Sequence, residues 1–305
     1  MAEIRTIPDI RIGERMEERA GHAGTAVFEL EHASYAYTQQ VALRDIDLTV
    51  RAGERIAILG ANGSGKSTLL KILDALYFPT EGSIRAFGEP LTEEAMQDPD
   101  RAFWFRRHVG LVFQDPEVQL FSPTVWDEVT FAPLHLGLPR AEVIERSEWA
   151  MELLGIGKLR DRAPHRLSGG EKKKVALASV LSLRPDVWLL DEPTASLDPR
   201  SQSRLLDFID ELAHEGKTII TATHDLDIVE EIAERVIMFC EDHEITGEGT
   251  PGQVLSDTEQ LVHCNLIHEH RHRHAATATE HVHPHLHKPP HEHEHKANEP
   301  NAGDK

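Results

Sequence analysis

The octapeptide Gly60-Ala61-Asn62-Gly63-Ser64-Gly65-Lys66-Ser67 restricts what this chain can fold into more than any other feature. It satisfies the pattern G-x-x-x-x-G-K-[S/T] at every fixed position. The apolar run Arg55–Leu59 precedes it and the helix-like stretch Ser67–Leu76 follows, so the segment reads as strand, loop and helix. Glycines let successive backbone N–H groups turn inward as an anion nest. The helix beyond adds free N–H groups and the positive end of its dipole. Lys66 is placed to reach the β- and γ-phosphates of a nucleotide, the Ser67 hydroxyl to ligate Mg²⁺, and Thr68 to extend the loop.

The remaining pattern places this loop in an α/β fold. Near-continuous apolar runs at Val109–Phe113, Val187–Leu190, Thr218–Thr221 and Val236–Cys240 predict a parallel core sheet covered by helices on both faces. Val27–Leu30 and Ile46–Val50 predict strands of a separate antiparallel layer. The run ending at Leu190 delivers Asp191 and Glu192 to its carboxyl end, where open α/β sheets bind ligands. Asp191 is expected to hold Mg²⁺ through water and Glu192 to polarise the attacking water as general base. Helix formers dominate between Gln114 and Leu167, and a helical subdomain is expected at about 115–167. Polar residues 1–26 read as a flexible leader, 27–255 as the nucleotide-binding domain, and 256–305 as a His-rich disordered tail.

Charge and composition remove other classes. The formal net charge is −20, and the stretch from His263 onward holds six acids and five bases, so −19 belongs to residues 1–262. Nucleic acid is therefore not the main partner, since phosphate-backbone binding needs excess Lys and Arg. Two cysteines, Cys240 and Cys264, make no disulfide framework and read as one core and one tail thiol in a reducing compartment. No stretch approaches the ~20 apolar residues that span a bilayer. Residues Met1–Ala20 are charged throughout, unlike a signal peptide. Work at a membrane would be done from the cytoplasmic face, as a peripheral protein.

Several further motifs fall in order around the loop. Leu167-Ser168-Gly169-Gly170-Glu171 lies about twenty residues before the Asp191–Glu192 pair. It resembles the signature motif of ATP-binding-cassette (ABC) ATPases, and from Val27 to Leu255 the rest of the pattern is similar too. Tyr37, with Tyr35 as competitor, stands where the family places an aromatic that stacks on adenine. Gln114 matches the Q-loop glutamine that touches Mg²⁺, Ser196-Leu197-Asp198 the D-loop, and His224 the switch histidine at the γ-phosphate. The resemblance implies that Ser168, Gly169 and Gly170 complete the ATP site of another subunit. A second ATPase subunit, most simply another copy of this chain, is then required for hydrolysis. Many cassette signatures end in Gln; Glu171 stands here instead, which bears on the control of rate.

The segment from Gln114 to Phe121, continuing through Thr124 to Val129, resembles the corresponding region of energy-coupling-factor ATPases, which serve importers of vitamins, cobalt and nickel. That resemblance implies a transmembrane coupling subunit and metal-binding membrane subunits as partners. The importer of cobalt or nickel is the expected assignment, with a vitamin importer, another ABC transporter and a soluble non-transport cassette ATPase as alternatives. Only 101 positions separate Ser67 from Ser168, too few for the long coiled coil of chromosome-type members.

Twelve of the 20 histidines fall between His263 and His295. His281, His283, His285 and His287 alternate with other residues, as do His291, His293 and His295. In an extended chain alternate residues point the same way, so several imidazoles could share one ion. Near neutral pH most imidazoles, with an unperturbed pKa of about 6.5, retain a free lone pair. Imidazole suits Ni²⁺, Co²⁺, Zn²⁺ and Cu²⁺, so these seven histidines are candidate ligands for Ni²⁺ or Co²⁺. A solubilising linker and a purification tag are the competing readings, though a tag is usually a homopolymer and this tract is interrupted by Glu, Pro, Val and Leu.

Overall fold

The computed structural model describes residues 24–273 and 280–286, those from 268 onward as backbone only. The expected leader lies almost wholly outside the described residues. Two sheets form the cassette. Strands β1 (Ala26–Tyr37), β2 (Gln40–Arg51), β4 (Glu81–Ala86) and β5 (Glu89–Pro90) make an antiparallel layer in the order β2-β1-β4-β5. Strands β3 (Arg55–Gly60), β6 (Val109–Val112), β7 (Val187–Asp191), β8 (Thr218–Thr223), β9 (Arg235–Phe239) and β10 (Ile245–Gly249) make the core sheet, ordered β10-β9-β3-β8-β7-β6. Only β10 runs antiparallel to its neighbour.

The core strands are apolar on both sides because both faces are covered. Ala57, Leu59, Trp188, Leu190, Ile219 and Met238 enter one buried cluster; Ile56, Ile58, Val187, Leu189, Ile220 and Ile237 enter the other. Burying one such side chain contributes roughly 1.5–3 kcal/mol, which fixes strand register. The helices are α1 (Lys66–Leu73), α2 (Pro99–His108), α3 (Val125–His135), α4 (Arg140–Leu153), α5 (Gly169–Leu181), α6 (Pro199–His214), α7 (Val229–Ile232), α8 (Pro251–Ser256) and α9 (Thr258–His263). Helix α1 ends at Leu73, three residues short of the stretch read from sequence; Ala75 beyond it takes φ 55°. Helices α3 and α4 occupy the region expected to be helical and pack against α5.

The chain does not lose order at 256. Thr250 caps α8 with Gln253 in a reciprocal box, and Asp257 caps α9. Leu261, Cys264, Leu266 and Ile267 are buried in the core beyond the expected boundary. Cys264 is therefore a core residue rather than a tail thiol. It forms a disulfide with Cys240, Cα to Cα 4.5 Å, because α8 and α9 fold back over the end of β9. The backbone then continues as an antiparallel pair, β11 (Ile267–Arg273) with β12 (Glu280–Leu286). No helix among the described residues is long and apolar enough to cross a membrane.

Candidate ATP site

β3 ends at Gly60 and hands the chain to the phosphate loop. A Cβ at Gly60 would lie 2.6 Å from the Phe239 carbonyl oxygen, so β9 presses on the loop's first residue. Gly63 and Gly65 adopt φ 85° and 116°, which only glycine takes without strain. Gly65 occupies the N-cap of α1 with no side chain covering the first amides, which leaves them available to an anion. Lys66 is folded back on the loop, its Nζ donating to the carbonyls of Gly60 (2.7 Å) and Ala61 (2.9 Å). Burial pulls its pKa down, while Glu192 and Asp191 oppose that fall. The ammonium is thus parked on replaceable carbonyl partners, next to the space where phosphate oxygens would lie.

That space is a cleft of about 430 Å³ lined by Tyr37, Asn62, Gly63, Gly65, Lys66, Ser67, Thr68, Gln114, Asp191 and Glu192. Ala42 and His243, which sequence reading missed, also line it. His243 leaves β9 in a left-handed turn and contacts the Ser64 carbonyl through Nδ1 at 3.2 Å. Gly60, Ala61 and Ser64 belong to the loop but do not line the cleft. Tyr37 shares hydrogen-bond distance with the Thr68 hydroxyl (3.1 Å) and sits edge-on to Tyr35 and Tyr77. Of the two candidates it is Tyr37 that lines the cleft.

Asp191 and Glu192 leave the end of β7 buried, at 4% and 3% exposure. Burial raises the Asp191 pKa, against a hydrogen bond from Ser67 that lowers it. Its Oδ1 is buried without a protein partner. An unpaired buried carboxylate oxygen beside a serine hydroxyl is the donor set a hard cation takes, so these residues fit Mg²⁺. Glu192 takes φ 45°, which turns its side chain back toward β8. Its Oε1 meets His224 Nδ1 at 2.6 Å and its Oε2 accepts from the Thr223 hydroxyl at 3.3 Å. His224 is therefore joined to the site through Glu192.

Lys173 had no role in the sequence reading. It is 2% exposed, and its Nζ donates to the carbonyls of Phe113 (2.9 Å), Gln114 (3.1 Å) and Asp191 (3.3 Å). One ammonium thus ties the loop carrying Gln114 to the strand carrying Asp191. The available signal was spacing: Lys173 shares an α5 face with buried Leu177 and Val180. Burial brings its pKa down to about 8, with Asp191 and Glu192 resisting. Raising pH from 7 to 9 removes this charge, so ATP turnover should fall severalfold over that interval. Lys173→Met should have lower turnover that no longer responds to this step. Parallel pH profiles for the two proteins would exclude Lys173 as the titrating group.

Ser168, Gly169 and Gly170 open α5 and do not line the cleft. Glu171 accepts from the Ser168 N–H (2.8 Å) and hydroxyl (2.9 Å), completing a capping box that a carboxylate fills as well as an amide. Lys174 reaches the D-loop, pairing with Asp198 at 2.7 Å. On the far side of Gln114, buried Glu128 accepts from the N–H groups of Phe121 (2.9 Å) and Ser122 (2.6 Å), fixing the loop. Val118 and Phe121 remain 68% and 67% exposed, and Phe121 abuts Phe131 edge-on. Among the tail candidates, His281, His283 and His285 lie on β12; His287, His291, His293 and His295 lie outside the described residues.

A glycine-rich loop after β3, the Asp191–Glu192 pair in contact with His224, and a separate helix opening at Ser168, all on a P-loop core sheet, have the make-up of an ABC-type ATPase. The family model of ABC transporters matches residues 43–195, and the chain belongs to that family as an ATP-binding, ATP-hydrolysing subunit. It is 48% identical to the nickel import ATP-binding protein NikO of Rhodobacter capsulatus over 80% of this chain and 96% of that one. Among solved structures, cbiO1 of Clostridium perfringens, part of the ABC transporter complex cbiONQ, superposes with TM-score 0.64 at 36% identity, covering 80% and 96% of the two chains. The dimeric cassette MJ0796 superposes with TM-score 0.66 at 27% identity, over 73% and 98%.

Proposed function

We propose that this chain energises import of nickel or cobalt ions, acting as a pair of cassettes on the cytoplasmic face of a membrane. The observation that carries the transport reading is the apolar strip Val118, Phe121 and Phe131, exposed on the same loop-and-helix segment that begins with Gln114. A residue at the cleft and a greasy surface a few positions away suit a relay to a coupling membrane subunit. The choice of ion rests on likeness to NikO and cbiO1 and on the histidine-rich tract. Two copies would place Ser168, Gly169 and Gly170 of each against the cleft of the other, supported by the absence of these residues from the lining of their own cleft.

In this reading Lys66 leaves the Gly60 and Ala61 carbonyls for the β- and γ-phosphates, and the Tyr37 ring takes the base. Ser67, Asp191 and Gln114 would hold Mg²⁺, which when bound neutralises charge on the phosphate oxygens. Glu192 accepts the proton of the attacking water, and His224, in contact with its carboxylate, orients it toward the γ-phosphate. Cells carrying the complete transporter should accumulate labelled nickel or cobalt in an ATP-dependent manner. The Lys66→Ala complex should take up neither. Equal uptake of both ions by the two strains would overturn the assignment.

A further inference from the structure

The register of the C-terminal ribbon sorts its residues. His268 is opposite His285, His270 opposite His283, and His272 opposite His281. Opposed residues of an antiparallel pair share a face, as do alternate residues along each strand. All six histidines therefore occupy one face, three from each strand. The other face carries Ile267 opposite Leu286, Glu269 opposite Pro284, Arg271 opposite Val282 and Arg273 opposite Glu280. A slip of one residue would divide the histidines between faces. Alternation within each strand was visible in the sequence; that the two alternations coincide is a property of the fold.

Directly opposed positions have Cβ atoms roughly 4.5–5.5 Å apart, and alternate positions follow at about 6.6 Å. Imidazole nitrogens bind divalent transition ions at about 2.0–2.1 Å, so cross-strand pairs are spaced for shared ligation. The ribbon is also anchored. Ile267, its first residue, is 6% exposed and packs in the core with Leu261 and Leu266, beside the Cys240–Cys264 link. We propose that this histidine face binds a divalent late transition-metal ion, Ni²⁺ or Co²⁺, through opposed pairs centred on His270 and His283. The site does not depend on what the cassette transports.

Calorimetric titration of the full-length protein with NiCl₂ or CoCl₂ alone tests it, using three variants of matched composition or loss. The first exchanges His268 with Glu269, His270 with Arg271 and His272 with Arg273, keeping every histidine but moving the three of β11 to the opposite face, so that no opposed pair remains. The second is His270→Ala with His283→Ala, an opposed pair. The third is His291→Ala with His293→Ala, outside the ribbon. The first two should bind at least tenfold more weakly than wild type, and the third within about twofold. Retained ATPase activity in all three shows that the cassette is folded. Equal affinity of the exchanged and wild-type proteins would mean that an unpaired tract binds the ion and overturn the proposal, as would loss of binding only in the third variant or no binding at all. Metal uptake by the transporter enters none of these readouts, so a failure here leaves the import reading intact, and the reverse holds.

Discussion

Glu192→Gln should lower ATP turnover at least tenfold, and by as much as about 10²-fold or more, while ATP binding is retained. Tenfold corresponds to about 1.4 kcal/mol of barrier, and a positioned general base commonly supplies about 10²–10⁴-fold. The amide is the same size as the carboxylate and can still meet His224 and Thr223, which lie 2.6 Å and 3.3 Å from the two oxygens. What it cannot do is accept a proton from water. Phosphate release with excess ATP measures the loss, and co-purifying nucleotide shows that the cleft still closes on its substrate. Wild-type turnover would assign the base elsewhere. Loss of binding together with turnover would instead make Glu192 a structural support of the cleft.

Gly65→Ala should weaken ATP binding at least 100-fold, about 2.7 kcal/mol. Two independent costs meet at this residue. Its φ of 116° lies where L side chains rarely go, a strain of about 1–3 kcal/mol. A Cβ there would also stand 2.4 Å from the Ala42 carbonyl oxygen, which belongs to the β2 backbone and cannot swing aside. Relief requires the loop to move, and with it the N-terminus of α1. Gly63→Ala is the internal comparison: its φ is also positive, but nothing stands within 4 Å of the new methyl. It should be the milder variant. Titration with a fluorescent ATP analogue reads both, and an affinity for the Gly65 variant within threefold of wild type would show that the loop adapts.

Where one residue's chemistry dictated its surroundings, the sequence was a reliable guide. The phosphate loop, the carboxylates after β7 and the glutamine after β6 each follow a buried apolar strand, so pattern and position agreed. Tyr37 was separable from Tyr35 only by geometry, because adjacent alternate positions of one strand carry the same sequence signal. Strand β1 extends to Tyr37, far beyond the Leu30 limit read from sequence, which fell short because bulges and the consecutive exposed residues Glu31 and His32 interrupt the alternation. Lys173 was hidden by its neighbours: a run of three lysines reads as a solvated helix face, and only tertiary packing buries the middle one. Composition misled at the C-terminus. Thr250, Pro251 and Gln253 carry a legible helix start, yet the helices are short and the histidines that follow lack the apolar alternation by which strands are recognised. The cysteine pairing depends on that fold-back, which no local pattern encodes.

In the core sheet β3, β8, β7 and β6 are consecutive neighbours. In that order their carboxyl ends supply the phosphate loop, His224, the Asp191–Glu192 pair and Gln114. The site is thus ruled off like the teeth of a comb, with strand spacing of about 4.8 Å setting the pitch. No tooth can shift along its strand without breaking a ladder, on both sides for β3, β8 and β7 and against β7 alone for the edge strand β6. Exchange of one nucleotide for another therefore meets a stiff interior, and the freedom left to express that exchange is displacement at the margins: the loop beyond Gln114 and the helix that begins at Ser168.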